Sequence, residues 1–284
     1  MEAAFTSLVS TDWLADHLES EDVVVLDASR HLPAAGRDPR AEFEARHIPG
    51  SRFLDLASWT DPASDVPAAI PNASQVTARL SELGVPSDAR IVLYDDSAVK
   101  TSARAWFVMR AHGIEKVAIL DGGLGKWREE GRAIESGTSR CKAAAQANRP
   151  AATGVVSKAN MLANLENPTH QVLDARGADR VFGCGIDPVH GGQNGRIPGS
   201  LNLPFGEVFD ERGTFKRPAD LRSVFESAGV DLNQPLITTC GSGVTACVLL
   251  FAAHLAGMDD ALLYDGSWQE WEADPETPKE QGAA

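Results

Sequence analysis

Apolar positions along this chain fall into short blocks that alternate between two periods. Val23-Val-Val-Leu-Asp27, Arg90-Ile-Val-Leu-Tyr94 and Leu236-Ile-Thr-Thr239 are brief runs rich in β-branched residues, the pattern of strands buried on both faces. Between such runs the apolar residues step at helical spacing. Ser10 or Thr11 caps a helix over Asp12 to Leu18, and Arg40 to Arg46 forms a shorter one. Thr245 to Ala256 is a third, with Val244, Val248, Phe251 and Leu255 on one face and Gly257 as its stop. Short apolar strands alternating with amphipathic helices predict an α/β fold with a mainly parallel sheet.

The pattern is written twice. Val23 to Asp27 returns as Gln171-Val-Leu-Asp174, and His47-Ile-Pro-Gly-Ser51 returns as Arg196-Ile-Pro-Gly-Ser200. Arg90 to Asp95 returns as Pro235 to Cys240, and Leu120-Asp-Gly-Gly with Trp127 returns as Tyr264-Asp-Gly-Ser with Trp271. Equivalent residues are 144 to 149 positions apart throughout. So even a spacing means one fold used twice, with domains expected over 1–138 and 154–276. Residues 135 to 153, rich in Ala, Ser, Gly and Asn, read as the linker, and the polar residues from about Glu276 read as a loose tail. Asp27 and Asp174 read as strand-end acids that tie down the two Ile-Pro-Gly turns through His47 and Arg196.

Composition narrows the class of function. At 284 residues there is room for two ordinary domains. A formal net charge of -14 argues against a nucleic-acid partner, which needs a basic footprint. No apolar run approaches the ~20 residues of a spanning helix, so no membrane partner is expected. The start, Met1-Glu2-Ala-Ala-Phe-Thr-Ser, has neither a basic segment nor a long apolar one, and a cytoplasmic protein is the expectation. The four cysteines, Cys141, Cys184, Cys240 and Cys247, show no spacing suited to zinc. No metal and no organic cofactor is implied.

Chemistry concentrates at Cys240. It leaves a buried strand and opens Gly241-Ser242-Gly243-Val244-Thr245-Ala246, after which the helix runs on. Core packing does not call for Gly-Ser-Gly between a strand and a helix. A loop of this kind turns several backbone N–H groups toward its centre, and the helix adds its positive dipole end. That setting favours an anionic sulfur and makes Cys240 a candidate nucleophile. At the equivalent place the first copy has Asp95, which cannot carry a transferable sulfur, so the first domain is expected to be catalytically silent. A Cys-x5-Arg phosphatase loop is excluded, because position 246 is Ala.

Cys240-Gly-Ser-Gly-Val-Thr-Ala246 resembles the active-site loop of the 3-mercaptopyruvate sulfurtransferases, within the rhodanese superfamily. Thiosulfate-using members usually carry Arg-Lys where this chain has Gly241-Ser242. The resemblance covers nearly the whole chain and implies two tandem rhodanese-like domains, each a mainly parallel sheet flanked by helices. It implies that Cys240 takes a sulfur from a small anionic donor as a persulfide. The sulfur then passes to a thiol, a thioredoxin-like protein or cyanide. Two other readings stand beside it: a thiosulfate:cyanide sulfurtransferase, and a non-catalytic sulfur-carrier or regulatory module.

Arg180 matches by position an arginine that the family uses to bind the donor anion, a task suited to a guanidinium. A second family arginine, within a Glu-Pro-Arg stretch, is replaced here by Asp187-Pro188-Val189-His190. Arg196 is the candidate to supply the missing charge, and His190 is a second candidate at low pH, although a lone loop histidine is more often simply exposed. Family members also carry a His-Met-Leu-Pro run and a nearby acid. Ala68-Ala-Ile-Pro71 and Ala57 stand there in this chain, so Ser242 lacks that relay. Cys247 reads as core, the tryptophans Trp127, Trp268 and Trp271 as core or interdomain packing, Thr245 as cap or donor, and Cys184, near Arg180, as a weakly supported redox or resolving cysteine.

Overall fold

The computed structural model describes residues 4–139 and 141–282. Strands β1 (Leu8–Val9), β2 (Val23–Asp27), β3 (Arg52–Phe53), β4 (Arg90–Tyr94) and β5 (Val117–Leu120) form one sheet in the order β1-β5-β4-β2-β3. Strands β6 (Val155–Val156), β7 (Gln171–Asp174), β8 (Leu201–Asn202), β9 (Leu236–Thr239) and β10 (Leu262–Tyr264) form a second, in the order β6-β10-β9-β7-β8. The two orders are the same permutation, and every neighbouring pair is parallel. Contacts group the chain into two compact units whose main boundary lies between Thr153 and Gly154, with Pro62–Ala69 grouped in the second unit and Arg212–Thr214 in the first.

The central strands are apolar because helices cover both faces of a parallel sheet. All four residues of β9 are buried, with Ile237 in register between Val172 of β7 and Leu262 of β10. Each unit closes its core with an equivalent tryptophan. Trp127 and Trp271 are fully buried, and each indole N–H donates to a carbonyl just beyond its helix, Ala133 and Pro278, both at 2.8 Å. This satisfies the one polar atom that burial would otherwise leave unpaired.

Helix ends follow capping chemistry. The first helix is Thr11–His17, and of the two candidate caps Ser10 does the work, its hydroxyl accepting the Trp13 amide at 3.0 Å. The next is Pro39–Ala45, one residue earlier than expected, because Asp38 caps it and Pro39 takes the first helical position. The described residues of the linker stretch form neither helix nor strand, yet their backbone is anchored. The Gly137, Ala144 and Thr153 amides donate to the carbonyls of Glu44, Ser81 and Ala111.

The strand-end acids depart from expectation. Asp27 accepts the amide of Ser29 at 2.8 Å, and Asp174 pairs with Arg176 at 2.7 Å, both of that pair's side chains being buried. His47 donates through Nδ1 to the Phe43 carbonyl instead. Each carboxylate finds a donor two residues ahead, in the turn that leaves its own strand, within easy reach of a short acidic side chain, and Asp27 is also hydrogen-bonded to the Tyr94 side chain.

Candidate active site

Cys240 is the first residue beyond β9, 2% exposed, at the carboxyl end of the sheet where ligands of parallel α/β folds bind. Its backbone is held on both sides. The Cys240 amide donates to the Ser267 hydroxyl at 3.2 Å, and the Cys240 and Gly241 carbonyls accept the amides of Trp268 and Gln269, both at 2.9 Å. Ser267 opens the helix Ser267–Ala273 with φ of 54°, a left-handed conformation that a residue with a side chain adopts at a cost. The equivalent residue of the first unit is Gly123, at φ 56°. The second unit thus accepts strain in order to place a hydroxyl under the cysteine.

With the carbonyls turned outward, the loop amides remain. Among the described residues, those of Gly241, Ser242, Val244 and Thr245 donate to no carbonyl. Gly243 makes the curl, at φ 75°, and Cys247 Sγ donates to its carbonyl at 3.1 Å from within the core. The helix begins at Ala246, one residue later than the apolar pattern suggests. Thr245 is already in helical geometry, and its hydroxyl makes no capping bond.

The first unit shows what such a place holds. Asp95 stands where Cys240 does, and its carboxylate accepts the Ser97 amide at 2.9 Å and that of Ser102, the first residue of the following helix, at 2.8 Å. An anion sits on the loop and helix-end amides in one copy. In the other copy the equivalent position carries a thiol.

Beside the loop lies a polar group drawn from the turn after β7. Arg180 donates to both oxygens of buried Asp187, from Nε at 3.0 Å and Nη2 at 2.6 Å. Burial pushes the Asp187 carboxyl up, but the Arg180 hydrogen bond and charge and the Val189 amide outweigh it and hold the group below its ordinary value. Arg180 Nη2 also donates to His190 Nδ1 at 3.0 Å. His190 is not the exposed loop residue expected. Its ring rests on the loop so closely that a Cβ added at Gly241 would lie 2.1 Å from His190 Cε1. Any side chain at 241 would therefore force the imidazole to move.

These contacts close into a ring. Cys240 meets Trp268 and Gly241 meets Gln269 through the backbone, Trp268 stacks under the Arg176 guanidinium at 4.8 Å, and Arg176 Nη1 lies 4.0 Å from Asp187 Oδ2. Asp187 holds Arg180, Arg180 holds His190, and His190 returns to Gly241. Arg176, Ser267 and the role of Asp187 escaped the sequence reading, and His190 was noticed there without its contact to Gly241. The displacement of the family's Glu-Pro-Arg stretch by Asp-Pro-Val-His was the available signal for two of them.

Arg196 belongs elsewhere, which corrects its reading as a donor-binding residue. Its guanidinium donates to the Gly282 carbonyl at 2.6 Å, pairs with Glu280 at 3.1 Å and lies over the Phe182 ring. Its backbone bonds Glu280 in both directions, so Arg196 pins Glu280 and Gly282 within the stretch expected to be loose. Cys184 and Cys141 are exposed, and Cys247 is buried.

Comparison with known proteins bears on this site. A rhodanese-like domain model matches residues 10–130 and again 157–274. A 3-mercaptopyruvate sulfurtransferase of Mus musculus is 40% identical over 273 residues, 94% of this chain and 92% of that one. Thiosulfate/3-mercaptopyruvate sulfurtransferase 1, mitochondrial, of Arabidopsis thaliana is 35% identical, over 96% of this chain and 78% of that one. The crystal structure of SseA from Escherichia coli, a 3-mercaptopyruvate sulfotransferase, matches with a TM-score of 0.83 at 34% identity, covering 93% of this chain and 99% of that one.

Proposed function

Since the chain belongs to the rhodanese-like domain family, we propose that it is a sulfurtransferase that moves sulfur from 3-mercaptopyruvate to a thiol or cyanide acceptor through a persulfide on Cys240. The single observation that carries the reading is the Cys240 loop, whose four undonated amides stand where the first unit seats the Asp95 carboxylate.

In the first half-reaction the Cys240 thiolate attacks the donor's sulfur. The carbon–sulfur bond breaks and its electron pair enters the pyruvate enolate, which takes a proton from solvent. Cys240 is left as a persulfide. In the second, the acceptor attacks the outer sulfur and Cys240 leaves as thiolate. The amides of Gly241 to Thr245 and the start of the helix stabilise the anionic sulfur in both halves. Ser242 and Thr245 offer hydroxyl donors beside it, and Val244 and Ala246 complete the curl into the helix. Arg180 keeps Nη1 available for the donor's carboxylate while its other nitrogens hold Asp187 and His190. The first unit, with Asp95 in place of the nucleophile, is catalytically silent.

Thiosulfate is the second donor to consider, favoured by Val189 standing where a further guanidinium is usual. Against it, an arginine at 241 of the thiosulfate-using kind would collide with His190. No helix among the described residues is long and apolar enough to cross a membrane. We place the protein in the reducing cytoplasm, where a working thiol stays free. The test is intact mass after incubation with each donor. Addition of one sulfur from 3-mercaptopyruvate, absent in Cys240→Ser, supports the reading. Addition from thiosulfate alone replaces the donor, and addition from neither leaves a carrier module.

A further inference from the structure

His190 has a place in the site that the steps above do not use. Its ring edge lies on Gly241, the residue next to the nucleophile. A Cβ there would be 2.1 Å from Cε1, 2.6 Å from Nδ1 and 3.0 Å from Nε2. The ring is held by one hydrogen bond of fixed direction. A guanidinium has donors and no acceptor, so Nδ1 must accept from Arg180 Nη2, and the ring's one proton is on Nε2. Protonating Nδ1 would set two donors against each other.

The charges facing His190 agree. Arg180 is in contact, Arg176 lies behind Asp187, and the Asp187 carboxylate, 3.7 Å from Nδ1, is already engaged by both Arg180 nitrogens. Burial and the Arg180 charge hold the imidazole below its ordinary value, against the pull of Asp187. What results is a neutral imidazole whose tautomer is set from behind, with its single N–H donor on a ring that rests against Gly241.

Breaking the carbon–sulfur bond of 3-mercaptopyruvate puts negative charge on the adjacent ketone oxygen. A fixed neutral N–H is suited to that charge, because it strengthens its hydrogen bond as the oxygen becomes anionic and gives up no proton. We propose that His190 Nε2–H donates to the ketone oxygen of the donor in the first half-reaction, with Arg180 as the positioning residue that fixes the tautomer. The bond made is Cys240 sulfur to donor sulfur, and the bond broken is donor carbon to sulfur. The electron pair ends on the enolate, solvent supplies its proton, and His190 stays neutral. The assignment rests on 3-mercaptopyruvate being the donor.

The test separates the halves. Pyruvate release and persulfide formation are followed in a single turnover with 3-mercaptopyruvate. Discharge is followed separately, by loading Cys240 with polysulfide and releasing thiocyanate with cyanide. His190→Ala should slow the first half by about 100- to 1,000-fold, the cost of removing one donor from an oxyanion site, and leave discharge at the wild-type rate. His190→Gln, which restores a neutral N–H, should recover about tenfold of that loss. Wild-type rates of pyruvate release in His190→Ala, equal slowing of both halves, or a Gln variant no better than Ala would overturn the assignment while the functional reading stands. Wild-type protein yielding neither pyruvate nor persulfide would overturn both.

Discussion

Gly241→Ala puts the contact between loop and imidazole to a quantitative test. The added methyl would stand 2.1 Å from His190 Cε1, where an ordinary contact begins near 3.4 Å, so the ring must retreat by roughly 1.3 Å. The 3.0 Å hydrogen bond from Arg180 cannot survive a shift of that size. A hydrogen bond to a charged group is worth about 1.5–3 kcal/mol, and the low end applies because His190 is partly exposed. The expected stability loss is thus about 1–2 kcal/mol by chemical denaturation. If the ring is needed in place, kcat/KM for 3-mercaptopyruvate should fall by about 5- to 30-fold, the same energy expressed as a rate. The assay is pyruvate formation in wild type, Gly241→Ala, His190→Ala and the double variant. Because both substitutions act through one contact, the double variant should be no worse than His190→Ala alone. Wild-type activity in Gly241→Ala would refute the placement of the ring. An equal loss in both backgrounds would show that the methyl harms the loop itself.

Other consequences follow from the same geometry. Ser267→Gly relieves the left-handed strain but removes the hydroxyl that accepts the Cys240 amide. Stability should stay within about 1 kcal/mol of wild type while kcat drops several-fold, and an unchanged kcat would remove Ser267 from the site. Asp95→Ala strips the acceptor from two buried amides of the first unit and should cost about 2–4 kcal/mol in urea denaturation with kcat preserved. Loss of turnover at unchanged stability would argue that the first unit is not silent. Burial raises the Asp27 carboxyl to about 6, against the opposing Ser29 hydrogen bonds. A folded-state value above the unfolded one stabilises at low pH, and that stability is lost as pH rises through about 6. Asp27→Asn, which cannot ionise, should therefore gain on wild type by up to about 3 kcal/mol between pH 4 and pH 7. A difference that does not change with pH would show that Asp27 titrates normally.

Much of this protein is legible before any coordinates. The central strands are apolar on both faces, and Trp127 and Trp271 recur at matched places, so the doubled parallel sheet and the Cys240 loop are local properties of the chain. Loop, strand and helix lie within about twenty consecutive residues, where periodicity and glycine placement speak directly. The residues around the loop are a different matter. His190 reaches Gly241, Ser267 reaches Cys240 and Arg196 reaches Glu280 across 51, 27 and 84 positions. Those meetings depend on how the strand-end turns of one sheet are brought side by side. Sequence pattern records which face of an element is buried, but it does not record which neighbour fills the space. Both Arg180 and Arg196 were candidates to hold the donor, and only the tertiary structure shows that Arg180 lies beside the loop while Arg196 does not. Asp187 could hold Arg180 beside the loop, while the C-terminal carbonyls drew Arg196 away.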